Sequence, residues 1–158
     1  MTFNFKAAIA CMLLFAIPPI AWCGELEGLW QEFDDRTGNV EALIRISKLS
    51  DNTYAGNIER IFPDKPENAA MRCSACTGSL YNQPLLGMGI LSGMMRKDKL
   101  TFEGGTVLDP DEGKIYRCRM RLSEDGKTLE VTGYVGFAWM GQSEIWKRDN
   151  QPLQGHIQ

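Results

Sequence analysis

The sequence predicts an all-β chain, an eight-stranded antiparallel up-and-down barrel with one long loop between the third and fourth strands. Three observations lead there. Eight short runs with the two-residue period of strands follow at regular spacing, divided by Asp-, Gly- and Pro-rich turns. No long helical period interrupts them. Gly28-Leu29-Trp30 opens the first run and Arg148 closes the last. In a closed sheet those ends are neighbours, so the Arg148 guanidinium is expected over the Trp30 indole, a contact of about 0.5–2 kcal/mol. Gly28, with no Cβ, leaves room for close approach at the barrel floor. Closure also removes the unpaired edges of an open sheet.

The first 23 residues read as a signal peptide. Lys6 supplies a basic start, Ala7–Ile17 an apolar stretch, and Pro18-Pro19 a break. Ala21 and Cys23 stand at the −3 and −1 positions for cleavage before Gly24. The stretch is shorter than the roughly 20 apolar residues of a membrane span. Lipid attachment at Cys23 is disfavoured by bulky Trp22. An exported product, periplasmic or secreted and without an integral membrane span, is the expectation. Residues 24–148 form the expected barrel domain, and 149–158 a flexible tail.

Leu29–Phe33 leads into the turn Asp34-Asp35-Arg36-Thr37-Gly38, then Val40–Ser47 alternates as a half-buried strand. Ser50-Asp51-Asn52 turns the chain and Thr53–Ile61 returns it. Phe62–Pro84 breaks the rhythm with Pro63, Pro66, Pro84 and Cys73-Ser74-Ala75-Cys76; Glu67–Met71 suits a helical turn. A connection this long points to a lid or binding loop. Strands resume over Leu85–Met94, where Gly87, Gly89 and Gly93 suit a bent strand. Leu100–Leu108 follows with a bulge at Gly104-Gly105, and Asp109-Pro110-Asp111-Glu112-Gly113 is a turn. Ile115–Leu122 sets Tyr116, Cys118 and Met120 against Arg117, Arg119 and Arg121. After the turn Glu124–Lys127, Leu129, Val131, Val135 and Phe137 are expected on one face. Gln142–Arg148 completes the set.

The 158 residues are 44% hydrophobic and 23% charged, which suits one globular domain. A net charge of −3 gives no basic footprint for nucleic acid. The three arginines of the sixth strand read as a solvated outer face, with a local anion-binding stripe as the alternative.

These residues resemble two known patterns. Gly28-x-Trp30 with Arg148 is similar to the lipocalin and calycin signature. The fuller string adds Asp34-Asp35, Thr37-Gly38, Cys73-Ser74-Ala75-Cys76 and Pro84-Leu85-Leu86-Gly87. It continues through Asp109-Pro110, Gly113-Lys114, Tyr116, Gly133-Tyr134 and Trp146-Lys147-Arg148. Over roughly Glu27–Arg148 it resembles the exported bacterial family catalogued as domain of unknown function 2147. The resemblance implies a lipocalin-like barrel and raises the case for carrying a small apolar ligand. It implies no catalytic residue.

Candidate chemistry is sparse. Removing the leader takes Cys11 and Cys23 and leaves Cys73, Cys76 and Cys118. In an oxidising compartment Cys73-x-x-Cys76 suits a disulfide stapling the loop. A thiol redox pair is the alternative, though the strand–helix context of such sites is missing. Cys118 reads as a buried free thiol, with a bridge to Cys73 or Cys76 the other option. Those cysteines and tail residue His156 make a poor zinc set, so no metal is expected. Asp34-Asp35 and Asp109-Asp111-Glu112 fit turn chemistry better than a carboxylate pair or calcium loop.

Glycines beside Met88, Met94, Met95, Met120 and Met140 together suit an adaptable apolar pocket, although for any single methionine core filler is the better reading. Trp30, Met88, Ile90, Tyr116 and Met120 are the candidate lining, under a Phe62–Pro84 flap. The expected function is a non-enzymatic exported barrel binding a small apolar or amphipathic ligand, with no cofactor. An envelope protein-interaction module using an exposed Trp139 is the alternative, with Trp139 plugging one barrel end as the opposite placement.

Overall fold

The two-residue alternation becomes eight strands in the computed structural model, which describes residues 25–62 and 71–150. They are β1 (Gly28–Phe33), β2 (Val40–Lys48), β3 (Tyr54–Ile61), β4 (Gly89–Arg96), β5 (Thr101–Asp109), β6 (Lys114–Leu122), β7 (Thr128–Tyr134) and β8 (Gln142–Arg148). Each pairs antiparallel with the next, and β1 pairs with β8 to close the barrel. Single 3-10 turns lie at Gly78–Leu80 and Ala138–Met140. No helix among the described residues is long and apolar enough to cross a membrane. The expected leader, the tail beyond Asn150 and most of the helical turn expected at Glu67–Met71 lie outside the described residues.

The turns are built by one repeated device. Asp34 Oδ1 accepts backbone N–H bonds from Arg36 and Thr37 at 2.8 and 2.6 Å. Asp98 and Asp109 do the same for Leu100 with Thr101 and for Asp111 with Glu112. A carboxylate that caps its own turn replaces the ladder bonds lost where the chain reverses. These bonds hold the Asp34 and Asp98 carboxyls below the usual carboxylate range.

Two boundaries differ from expectation. The fourth strand starts at Gly89 because Leu85–Met88 is a turn: Met88 N–H donates to Leu85 O at 2.9 Å and Gly87 takes φ +84°. Val135 and Phe137 do not share the inner face of Leu129 and Val131. The seventh strand ends at Tyr134 and Gly136 turns at φ +82°, leaving both side chains exposed. The bulge expected at Gly104-Gly105 is present as a register shift between Glu103 and Gly105. Ser92 O lies where a Gly105 Cβ would stand, so the neighbouring strand can approach there only because Gly105 has none.

The floor is closed by the residues just ahead of β1. Leu26 is fully buried, and Trp30 Nε1 donates to its carbonyl at 3.0 Å. Arg148 lies 4.2 Å from the Trp30 ring centre and donates to the carbonyls of Gly126, Glu27 and Glu25. Its Nη1 occupies the space a Gly28 Cβ would need, 2.6 Å from that position. Above this floor Trp30, Ile44, Ile46, Met94, Phe102, Met120, Leu122, Leu129 and Trp146 fill the lower barrel with almost no exposure. Arg117, Arg119 and Arg121 point outward.

Candidate functional site

Packing ends at the opposite rim, where the turns after β1, β3, β5 and β7 gather. Two adjoining cavities open there, of about 310 and 370 Å³, and both are lined by Asp109 and Glu144. One is walled by Val107, Tyr116, Val131, Gly133, Val135 and Met140. The other adds Glu32, Glu41 and Asp111 to Ile58, Ile61, Met71 and Leu85. The mouth is thus part apolar and part acidic.

The loop after β3 forms one wall. Cys73 and Cys76 are joined by a disulfide and both are buried. Cys73 Sγ lies 3.3 Å from Pro110 O, and since the sulfur carries no hydrogen this is a packing contact. Gly113, at φ +67°, lies against Ala75 so closely that a Cβ would meet its carbonyl oxygen at 2.0 Å. The stapled segment is therefore pressed onto the β5–β6 turn.

Of the five residues expected to line the pocket, Tyr116 does so, its hydroxyl donating to Glu112 Oε2 at 2.5 Å. That bond lowers the Glu112 carboxyl and raises the Tyr116 hydroxyl. Trp30, Met88, Ile90 and Met120 are instead buried in the core and line neither mouth cavity. The large rings of Trp30, Phe102 and Trp146 fill the volume that glycines beside methionines were expected to leave. Gly28, Trp30 and Arg148 make the floor contact. Trp139 is 81% exposed and stacks with Phe137, ring centres 6.3 Å apart, so it does not plug the barrel.

Asp109 and Asp111 were read as turn residues, and Glu32 and Glu144 were missed, although a signal for them exists. With Trp30 and Trp146 inward, the two-residue period puts Glu32 and Glu144 on the same side, where Glu32 is half-buried and Glu144 is exposed at the rim of both cavities. Burial, then the charges of Glu144, Glu41, Asp111 and Asp109, push the Glu32 carboxyl up from 4.5 to about 8. Glu144 is also raised, first by burial, against the opposing effect of the hydrogen bond from Trp146 Nε1 at 3.2 Å.

Cys118 is a buried free thiol, pushed up to about 12 by desolvation. A thiol in that state is a poor nucleophile. In the chain from Gly24 onward, iodoacetamide at neutral pH is expected to label no cysteine while folded and one after unfolding without reductant. Labelling of the folded protein would contradict the burial.

A family model described as "Uncharacterized protein conserved in bacteria (DUF2147)" matches residues 28–148. A solved structure, that of protein HP1028 from the human pathogen Helicobacter pylori, described as belonging to the lipocalin family, superposes with a TM-score of 0.68. The match covers 80% of this chain and 84% of that one at 21% identity, a likeness of fold. No curated protein matches.

Proposed function

This chain belongs to the DUF2147 family of bacterial proteins, and on that premise we propose an exported, non-enzymatic barrel that binds one small amphipathic ligand at its mouth. The observation that carries the reading is the pair of cavities above a packed floor. Their volumes lie at the small end of the usual range for ligand sites, about 300–1,000 Å³. Val107, Val131 and Met140 suit an apolar body, and the carboxylates beside them suit a polar end. The Cys73–Cys76 disulfide fits an oxidising compartment, periplasmic or extracellular. Both sulfurs are buried, which argues against a thiol redox role.

The test is titration with N-phenyl-1-naphthylamine, an apolar dye that fluoresces when shielded from water. Saturable binding at roughly 1–100 μM is expected. Gly133→Leu places a side chain in the apolar cavity and is expected to weaken binding about tenfold. Absence of saturable binding to the unsubstituted protein overturns the reading.

A second reading is favoured by one observation, the exposed Phe137–Trp139 stack on the β7–β8 connection. Rigid exposed aromatics are typical interface anchors. Trp139→Ala that abolishes capture of an envelope protein, in a chain that takes up no dye, would favour this reading.

A further inference from the structure

The β1–β8 seam is short: only Trp30–Arg148 and Gln31–Lys147 pair across it. Towards the mouth β1 continues to Glu32 and β8 lies at Ile145 and Glu144, with no pairing between them. The barrel wall thus opens where two inward carboxyls approach the cavities. Glu32 lines the acidic cavity, is half-buried, and has no hydrogen-bond or ion-pair partner among the described residues. No buried side-chain oxygen among the described residues lacks a partner, so the Glu32 carboxyl is open to the cavity and a cation entering there meets it directly. Among the described residues no three His, Cys, Asp or Glu converge to hold a metal ion.

We propose that the mouth selects a ligand bearing an organic ammonium beside an apolar body, the cation drawn to the acidic side of the mouth lined by Glu32, Glu144 and Asp109. This rests on the ligand-binding reading above and names the chemistry of that ligand. The apolar body lies against Val107, Val131 and Met140, in the cavity that shares Asp109 and Glu144 with the acidic one. The groups facing Glu32 are Glu41 from β2, Asp109 and Asp111 from β5 and its turn, and Glu144 from β8. Among the described residues the acidic cavity has one basic side chain in its lining, Arg36, whose Nη2 is 3.9 Å from Asp34 Oδ2. An arriving ammonium stabilises ionised Glu32, whose carboxyl is held up by its surroundings, so binding releases the proton from the fraction that still carries it.

The experiment displaces N-phenyl-1-naphthylamine at pH 7 with decylamine, 1-decanol or decanoate, each below its micelle concentration. Decylamine is expected to compete at concentrations on the order of tenfold lower than decanol, with decanoate weakest. In the Glu32→Gln, Glu144→Gln double variant the advantage of the amine over the alcohol should fall several-fold, Asp109, Glu41 and Asp111 remaining in the lining. Calorimetry in two buffers of different ionisation enthalpy should show proton release with decylamine and none with decanol. Decanol or decanoate matching decylamine, or no proton release, overturns the cation site and leaves mouth binding standing. Failure of the dye itself to bind overturns both. Lysophosphatidylethanolamine competing as well as decylamine assigns the ammonium to a lipid headgroup; weaker competition assigns it to a free amine.

Discussion

Trp30→Ala is expected to destabilise the barrel by about 3–5 kcal/mol, the range for truncating a fully buried aromatic. Trp30 is wholly buried, and its Nε1 donates to Leu26 O, tying the segment ahead of β1 to the floor. Without the indole the Arg148 guanidinium loses the ring beneath it, and Leu26 loses both its hydrogen bond and a packing partner. The β1–β8 seam has only two residue pairs to hold it, and one of them is Trp30–Arg148. Arg148→Lys is expected to cost less, about 1–3 kcal/mol, because one ammonium cannot serve three carbonyls held by a planar fork. Urea unfolding followed by circular dichroism checks both. A loss below about 1 kcal/mol for Trp30→Ala would mean that the floor does not organise the closure.

Glu32→Gln is expected to stabilise the protein at alkaline pH and to change little near pH 4. The sign follows from the carboxyl being raised from 4.5 to about 8 on folding. Below pH 4.5 both folded and unfolded chains hold the proton and Glu32 costs nothing. Between 4.5 and 8 the unfolded chain ionises while the folded one keeps its proton, so stability falls as pH rises. A shift of that size corresponds to roughly 4–5 kcal/mol. Solvent in the open mouth reduces the realised part to about 2–3 kcal/mol. Chemical denaturation at pH 4, 6 and 9 should show a downward trend in the native protein that Glu32→Gln flattens. Some slope remains in the variant, because the Glu144 carboxyl is raised as well. The capped carboxyls of Asp34, Asp51, Asp98 and Asp125 act with the opposite sign and in a lower window. Equal slopes in the native protein and the variant would place Glu32 in water rather than in the wall.

Much of the barrel was legible because its causes are local. Asp34 and Asp109 announce turns through bonds to amides two and three residues on, so a short stretch of chain contains the whole device. The disulfide joins residues three apart. Gly28, Trp30 and Arg148 are distant in the chain, yet the family pattern pairs them and the coordinates place them in contact. The proposed lining was less legible. Met120 alternates as expected and Met88 and Ile90 are buried beside it in the core, but alternation reports which side of the wall a residue takes and nothing of its height in the barrel. Glu32 and Glu144 share that inward parity one step nearer the rim, where the same rule places charge in a cavity.

Turn positions, strand period, the single stapled loop and the pairing of chain ends were set by residue types acting over a few positions or by a family signature. Strand stagger decided the rest. It gathers the buried rings of Trp30, Phe102 and Trp146 low in the barrel, so the interior there is solid. It also leaves the unpaired part of the β1–β8 seam beside the carboxyls of the mouth. A cavity is what remains after side chains from all eight strands have been packed together, and that sum exists only in three dimensions.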